Sequence, residues 1–230
     1  MKTLIFPGLS SPNSRKYKDV YGLLIAEARK SFPNTEPEVI LWSGQSNVGG
    51  RISGEFLVPT ASTQASSRLR ELHRQEVVII ARSSGCNVAA HCLANNSFDF
   101  VRKVVFWGPP PFWLYYDMFI HHAPENYAKA KETGVRIGKQ IVSSAIPFES
   151  HLADIQCDLL VATGKEDQLC PPSYLRYLKS ATEQRKRKLT FAVIDGCPHS
   201  VTYSSLGAQL FIAKIFGWLS KSRRTPRYAS

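Results

Sequence analysis

Three residue types that together can perform acyl transfer stand far apart in this sequence, each in a short loop-like stretch. Ser83 lies in Ala-Arg-Ser-Ser-Gly, Asp167 in Gly-Lys-Glu-Asp-Gln, and His199 in Gly-Cys-Pro-His. A serine hydroxyl is a weak nucleophile unless a base takes its proton and hydrogen-bond donors face the oxyanion that forms. A histidine can be that base, and a carboxylate behind it holds the imidazole in the required tautomer. This chemistry is available if the fold brings the three residues together.

The elements around these residues alternate between short apolar runs and longer segments with helical periodicity. Runs rich in Val and Ile predict strands, and apolar residues spaced three and four apart predict helices between them. The alternation predicts an α/β protein with a mainly parallel six-stranded sheet and helices on both faces. The predicted strands are 3–6, 38–42, 77–81, 104–107, 159–162 and 189–194, and the predicted helices are 17–31, 61–74, 84 to about 95, and 205–220.

Each of the three candidate residues directly follows one of these strands. Ser83 comes after the third strand, Asp167 after the fifth and His199 after the sixth. Taken singly, the serine could be a helix N-cap and the aspartate a turn residue. In a parallel sheet, however, the carboxyl ends of the strands form one edge, where ligands bind. A sharp strand-to-helix turn needs small residues two positions either side of the serine, and Ala81 and Gly85 meet that need. We therefore predict Ser83 as nucleophile, His199 as base and Asp167 as acid.

These motifs resemble those of the α/β-hydrolase superfamily. Residues 81–85 are similar to its nucleophile elbow, 164–171 to its acid turn and 196–199 to its histidine loop, and the serine–acid–histidine order is the same. The resemblance implies an α/β-hydrolase fold without the two usual leading strands, as a single domain over residues 1–220.

The resemblance also implies an oxyanion hole. Phe6-Pro7-Gly8-Leu9 is similar to the oxyanion turn of the superfamily, so that the backbone N–H groups of Leu9 and Ser84 would be its donors. The chain departs from the family pattern at three positions. Ala81 replaces a first glycine, Cys86 a common second glycine, and Pro7 a frequent histidine. The departures at Ala81 and Cys86 keep open a second hypothesis, a catalytically silent relative that binds a small molecule in the same pocket.

Two other carboxylates stand near the predicted triad in sequence. Glu166 adjoins Asp167, but the acid turn of the superfamily has its acid where Asp167 stands. Asp195 is close to His199, but its position at a strand end is more typical of a turn residue. We therefore predict that neither Glu166 nor Asp195 is the acid.

The cysteines and the remaining histidines suggest neither a thiol enzyme nor a metal centre. Cys197 precedes His199 by two residues, but no strand-to-helix turn surrounds it, so a packed thiol is predicted. His121 and His122 have no partner ligands at fixed spacing, so no metal site and no cofactor are predicted. The odd number of scattered cysteines favours buried free thiols in a reducing cytoplasm. They are Cys86, Cys92, Cys157, Cys170 and Cys197.

An insertion of residues 108–157, between the fourth and fifth predicted strands, is expected to form a short cap over the site. Its first part is rich in aromatic residues, which offer a large apolar surface for an acyl group or else pack the cap onto the core. A polar helix is predicted over about 125–145. Arg82 either contacts an acidic group of the substrate or turns onto the neighbouring helix. The predicted pocket residues are Trp107, Phe112, Trp113, Tyr116 and Arg82.

The charge balance is strongly basic, with 29 Lys and Arg against 18 Asp and Glu and a net charge of +11. Such a balance favours anionic partners. Much of the excess is local, at 185–188 and in a tail predicted over 221–230, which carries Lys221, Arg223, Arg224 and Arg227. No aromatic residues interleave the basic run, so no nucleic-acid partner is expected. No apolar run reaches the ~18 residues of a membrane span, and the protein is predicted to be cytoplasmic.

The sequence therefore predicts a serine hydrolase that cleaves an ester or thioester of an apolar or aromatic acyl group through a Ser83 acyl-enzyme. A small-molecule substrate linked to coenzyme A or to a carrier protein would suit the positive charge. Amide, lactone or carbon–carbon cleavage would also fit the same three residues.

Overall fold

Residues 1–145, 147–183, 188–199 and 206–221 are described by a computed structural model of the chain. In these ranges, none of the helices combines the length and the apolar character that crossing a bilayer requires. The basic run at 185–188 lies outside the described residues except for Lys188, and the predicted tail lies outside them except for Lys221.

Six parallel strands form one sheet at the centre of the described structure. They are β1 (Lys2–Phe6), β2 (Glu38–Val39), β3 (Val77–Arg82), β4 (Val101–Trp107), β5 (Asp158–Gly164) and β6 (Leu189–Ile194). Their spatial order is β2-β1-β3-β4-β5-β6, so the chain moves to one side of β1 and then crosses it to build the rest of the sheet. β3 is buried along its whole length because it lies between β1 and β4 with helices on both faces. The predicted fold class is confirmed.

The helices form a layer on each face of this sheet. They are α1 (Lys18–Ser31), α2 (Val58–Glu71), α3 (Ser84–Ala94), α4 (Phe112–Tyr116), α5 (Ala123–Glu132), α6 (Glu149–Leu152), α7 (Pro172–Ala181) and α8 (Leu206–Leu219), with a π-helical turn at Asp117–His121. Side chains of α1 and α8, such as Leu24 and Phe211, pack on one face. Side chains of α2, α3 and α7, such as Leu69, Val88 and Leu178, pack on the other. Each of these helices therefore turns apolar side chains toward the sheet face that it covers.

The second strand is shorter than the five residues predicted, because the chain turns into the core. The backbone N–H of Ile40 still donates to the carbonyl of Ile5 at 3.0 Å. Two residues later the N–H of Trp42 donates to the side-chain oxygen of Gln45 at 3.1 Å instead of to a strand. Trp42 is 1% exposed, so its apolar character belongs to the core and not to a longer strand.

The helix predicted over 125–145 is also shorter and ends at Glu132. Beyond it the chain is extended and apolar, with Val135 bridged to Gln45 and Ile137 bridged to Phe56. Val135 is 1% exposed and Ile137 is 6% exposed. The second half of the insertion therefore packs onto the connection between β2 and α2, where backbone pairing replaces further helix.

Candidate active site

Ser83 lies at the sharp turn where β3 ends and α3 begins. Its backbone has φ 50° and ψ −128°, and no other non-glycine residue in the described ranges has a positive φ. A non-glycine residue in this conformation is strained, and such strain is held in place by the surrounding packing. A Cβ atom at Gly85 would lie 2.4 Å from the carbonyl oxygens of Phe6 and Pro7, so glycine is required there. The turn has the geometry that its sequence predicts.

The structure brings Ser83, His199 and Asp167 into one hydrogen-bonded line. Oγ of Ser83 is 2.9 Å from Nε2 of His199. Nδ1 of the same imidazole is 2.9 Å from Oδ2 and 3.1 Å from Oδ1 of Asp167. With its proton on Nδ1, the imidazole donates to the carboxylate and accepts from the serine hydroxyl. That arrangement allows a proton to pass from the hydroxyl to Nε2.

The carboxylate of Asp167 is enclosed by hydrogen-bond donors in the turn after β5. Its Oδ1 accepts the backbone N–H groups of Leu169 at 2.9 Å and Cys170 at 2.7 Å. The hydroxyl oxygen of Thr163 lies 3.2 Å from its Oδ2 and donates over the shorter distance of 2.5 Å to the carbonyl of Cys170 in the same turn. The side chain is 1% exposed, and these donors, together with the imidazole, compensate for the burial of its charge. The carboxylate is thereby held in the orientation that the imidazole needs.

The two other candidate carboxylates have different partners. Oε2 of Glu166 accepts the backbone N–H of Cys197 at 2.9 Å, which ties the acid turn to the histidine loop. Asp195 is an exposed residue whose carboxylate lies 3.5 Å from Nζ of Lys165. Among the described carboxylates, Asp167 is therefore the one hydrogen-bonded to the imidazole.

Gly108, which the sequence analysis missed, makes room for the acid–base pair. It follows β4 directly with φ 58°, and its N–H donates to the carbonyl of Ala162 at 2.8 Å. A Cβ atom here would lie 3.0 Å from Oδ2 of Asp167 and 3.3 Å from Nδ1 of His199. The sequence signal that could have identified Gly108 is a glycine directly after a predicted strand, at the sheet edge where the site is expected.

The turn after β1 lies beside the nucleophile. Leu9 and Ser84, the predicted oxyanion donors, line the same cavity as Ser83. The buried Gln45, also missed from the sequence, holds this turn, because its side-chain amide donates to the carbonyl of Gly8 at 2.7 Å and to that of Leu9 at 3.2 Å. No local pattern marked Gln45, since its partners lie more than 30 residues away in the chain.

A cavity of about 490 Å³ opens beside Ser83, between the sheet edge and the cap. One part of its wall is apolar and comes mostly from the cap: Leu9, Leu114, Tyr115, Met118, Phe119 and Ala130. The other part is polar: Lys16, Asn126, Lys129, Glu132 and Thr133. The cavity can therefore hold an apolar group next to the serine and a polar group near Lys16 and Lys129.

All four aromatic residues predicted to line the pocket lie elsewhere, which corrects that prediction. Trp107 is buried on the α8 face of the sheet, stacked on Phe211 with ring centroids 4.3 Å apart. Trp113 and Tyr116 point outward from α4 and are 56% and 48% exposed. Phe112 does not line the cavity either. Within α4 the helical phase turns Leu114 and Tyr115 inward and leaves Trp113 and Tyr116 exposed.

Arg82, the fifth predicted pocket residue, lines the cavity but turns onto the neighbouring helix. Its guanidinium carbon lies 5.1 Å from the ring centroid of Tyr17, which directly precedes α1, and 5.3 Å from that of Trp107. Its Nη2 donates to the backbone carbonyl of His199 at 2.7 Å. Of the two interpretations given for Arg82, the one in which it turns onto the neighbouring helix therefore describes its position.

The thiols and the remaining histidines take no part in this arrangement. All five cysteines are buried and free, and burial raises the pKa of Cys197 to about 12, so that its thiol stays neutral. His121 and His122 are exposed on the cap. Among the residues that the structure describes, no cluster of three or more His, Cys, Asp or Glu side chains could hold a metal ion.

Comparisons with known proteins relate the chain to others by structure and not by sequence. No protein-family model and no curated protein sequence matches the chain. Three similar solved structures are a monoacylglycerol lipase from Paleococcus ferrophilus, an esterase from Exiguobacterium antarcticum, and alpha/beta hydrolase domain-containing protein 10 from mouse. Their TM-scores are 0.69, 0.68 and 0.64, at 16%, 14% and 17% sequence identity. The matches cover 95%, 96% and 95% of this chain and 93%, 92% and 89% of theirs.

Proposed function

Because the chain has the α/β-hydrolase fold, we propose that it is a serine hydrolase that cleaves an ester or thioester of an apolar acyl group. The observation that carries this proposal is the hydrogen-bonded line from Ser83 through His199 to Asp167, with 2.9 Å at each step. The likeness to a lipase and an esterase supports the same class of reaction.

In the proposed reaction the oxygen of Ser83 attacks the carbonyl carbon of the substrate, and its proton moves to Nε2 of His199. The backbone N–H groups of Leu9 and Ser84 are the proposed donors to the resulting oxyanion. The bond to the leaving group then breaks, and His199 gives the proton to the departing oxygen or sulfur. Water next attacks the acyl-enzyme and passes a proton to His199, which returns it to Ser83 as the acid leaves. Asp167 stabilises the imidazolium in both halves.

The apolar wall of the cavity supports an apolar acyl group, which can be tested with p-nitrophenyl esters of graded acyl length and with acyl-CoA thioesters. We expect kcat/KM to rise with acyl length until the cavity is filled and then to fall.

A fluorophosphonate should label Ser83 covalently, as mass spectrometry of the labelled peptide can establish. A folded protein that takes no label and turns over none of these substrates would instead be the silent small-molecule-binding relative.

Asp167→Asn is expected to lower kcat by about 10⁴-fold, because the amide cannot hold the imidazole in the tautomer that accepts the serine proton. The measurement is steady-state hydrolysis of the best p-nitrophenyl ester. Asp195→Asn, which changes an exposed carboxylate bound to Lys165, is the matched control and should keep wild-type kcat. An Asp195→Asn loss as large as that of Asp167→Asn would mean that the acid is misassigned.

Two lysines near the cavity favour a leaving group with negative charge. Lys16 and Lys129 both line it, and neither forms an ion pair with the described carboxylates, which include every Asp and Glu of the chain. Replacing both by glutamine is expected to raise KM for an acyl-CoA thioester by about tenfold, the effect of two partly screened charge pairs. KM for a neutral p-nitrophenyl ester should not change.

The matched control for this charge test is Lys30→Gln, which removes an exposed lysine that lies on α1 and pairs with Glu27. It should leave both KM values unchanged. Equal increases for the charged and the neutral substrate in the Lys16→Gln, Lys129→Gln double variant would contradict a role in recognising negative charge.

A further inference from the structure

The guanidinium of Arg82 is buried without a counter-charge. The residue is 4% exposed, and no carboxylate of the described residues forms an ion pair with it, although these include every Asp and Glu of the chain. One of its nitrogens, Nε, is buried without a hydrogen-bond partner in the described structure. Arginine stays protonated, and burying such a charge is costly unless other contacts replace its water. A charged residue next to the nucleophile therefore needs an explanation in terms of its contacts.

Strand alternation directs the Arg82 side chain to the face of the sheet that α1 and α8 cover, where Val78 and Ile80 also pack. There its guanidinium lies 5.1 Å and 5.3 Å from the ring centroids of Tyr17 and Trp107. Cations are attracted to aromatic rings at such distances. The two rings therefore hold the planar group close to the sheet edge.

From this position Arg82 reaches the histidine loop. Its Nη2 donates to the backbone carbonyl of His199 at 2.7 Å. Two residues earlier in the same loop, the N–H of Cys197 donates to Glu166 at 2.9 Å. The loop is thus anchored on both sides of Pro198, and the position of the imidazole follows from that of its backbone.

Tyr21 lies within the electrostatic reach of Arg82 and leads to a second loop. Burial raises the pKa of Tyr21, so the hydroxyl stays neutral, and it accepts the backbone N–H of Gly8 at 3.0 Å. The backbone N–H of the next residue, Leu9, is one of the two proposed donors to the oxyanion. The guanidinium of Arg82 therefore contacts the histidine loop directly, and the nearby Tyr21, on which its charge acts, holds the oxyanion turn.

We infer that Arg82 is a positioning residue, which aligns the histidine loop and the oxyanion turn with Ser83. This inference rests on the proposed function. A catalytic group misplaced by about 1 Å can cost about 100-fold in rate. Apart from Leu9, the apolar wall that would bind the acyl group comes from the cap, away from the two anchored loops. Loss of Arg82 should therefore lower kcat far more than it changes KM.

The first test is Arg82→Met, which keeps the apolar stem near Tyr17 and Trp107 and removes the donors. We expect kcat for a p-nitrophenyl ester to fall about 100-fold while KM stays within about threefold of wild type. Arg82→Lys keeps the charge without the planar fork of donors and should recover part of the loss. Arg29→Met, which removes an exposed arginine from α1, is the matched control and should leave both constants unchanged.

The second test is Tyr21→Phe, which together with Arg82→Lys keeps the inference testable even if Arg82→Met does not fold. It keeps the ring and removes the acceptor for the N–H of Gly8, and we expect kcat to fall about tenfold, the effect of one ordinary hydrogen bond. Wild-type kcat in Arg82→Met would overturn the inference, as would losses that fall wholly in KM. If Arg82→Met does not fold, wild-type kcat in both Arg82→Lys and Tyr21→Phe would overturn it. Absence of Ser83 labelling in the wild-type protein would overturn the proposed function instead, so the two failures are distinguishable.

Discussion

Ser83→Ala is expected to lower kcat for p-nitrophenyl esters by about a million-fold, which corresponds to about 8 kcal/mol of transition-state stabilisation. The hydroxyl oxygen of Ser83 forms the acyl bond in the proposed reaction, and it is the hydroxyl that the imidazole of His199 contacts. The thiol of Cys86, three residues along, is buried, and burial holds its pKa well above the usual value. The residual rate should be measured with enzyme in excess of substrate, and labelling by a fluorophosphonate should disappear.

The control for this variant is Ser97→Ala, which changes an exposed serine beyond the far end of α3. It should retain full activity and full labelling. The loss expected for a nucleophile leaves about a millionth of wild-type kcat. If Ser83→Ala retained more than about a thousandth, the assignment of Ser83 would be rejected.

His199→Ala is expected to be about as severe, with a loss of about a million-fold in kcat, because removing the base leaves the serine proton without an acceptor. Nδ1 and Nε2 of this imidazole are both hydrogen-bonded, and alanine offers neither the acceptor for the serine proton nor the donor to Asp167. The Ser83→Ala, His199→Ala double variant should be no slower than either single variant, since the residues act as one unit.

His73→Ala, at an exposed histidine after α2, is the control and should behave as wild type. Additive losses in the double variant would show that Ser83 and His199 act independently, which contradicts a shared proton transfer. Near-wild-type activity of His199→Ala would remove it from the mechanism altogether.

The sequence was sufficient to predict the architecture and to predict that the side chains of Ser83, Asp167 and His199 come together. The apolar runs marked all six strands, and the residue types that stand just after β3, β5 and β6 marked the triad. This worked because strand ends of a parallel sheet share one edge, so that position along the chain translates directly into position in space. The requirement for a small residue at Gly85 could be read in the same way, from a turn that involves only its neighbours.

The pocket and the supporting contacts were decided by tertiary structure alone. Trp113 and Tyr116 were predicted inside and lie outside, because the direction that a short cap helix faces depends on what it packs against. Gln45, Gly108 and the contact of Arg82 with the histidine loop join segments that are distant in sequence. Such contacts leave no periodic or local signal, since the energy that selects them arises only when the packed chain brings both partners out of water together.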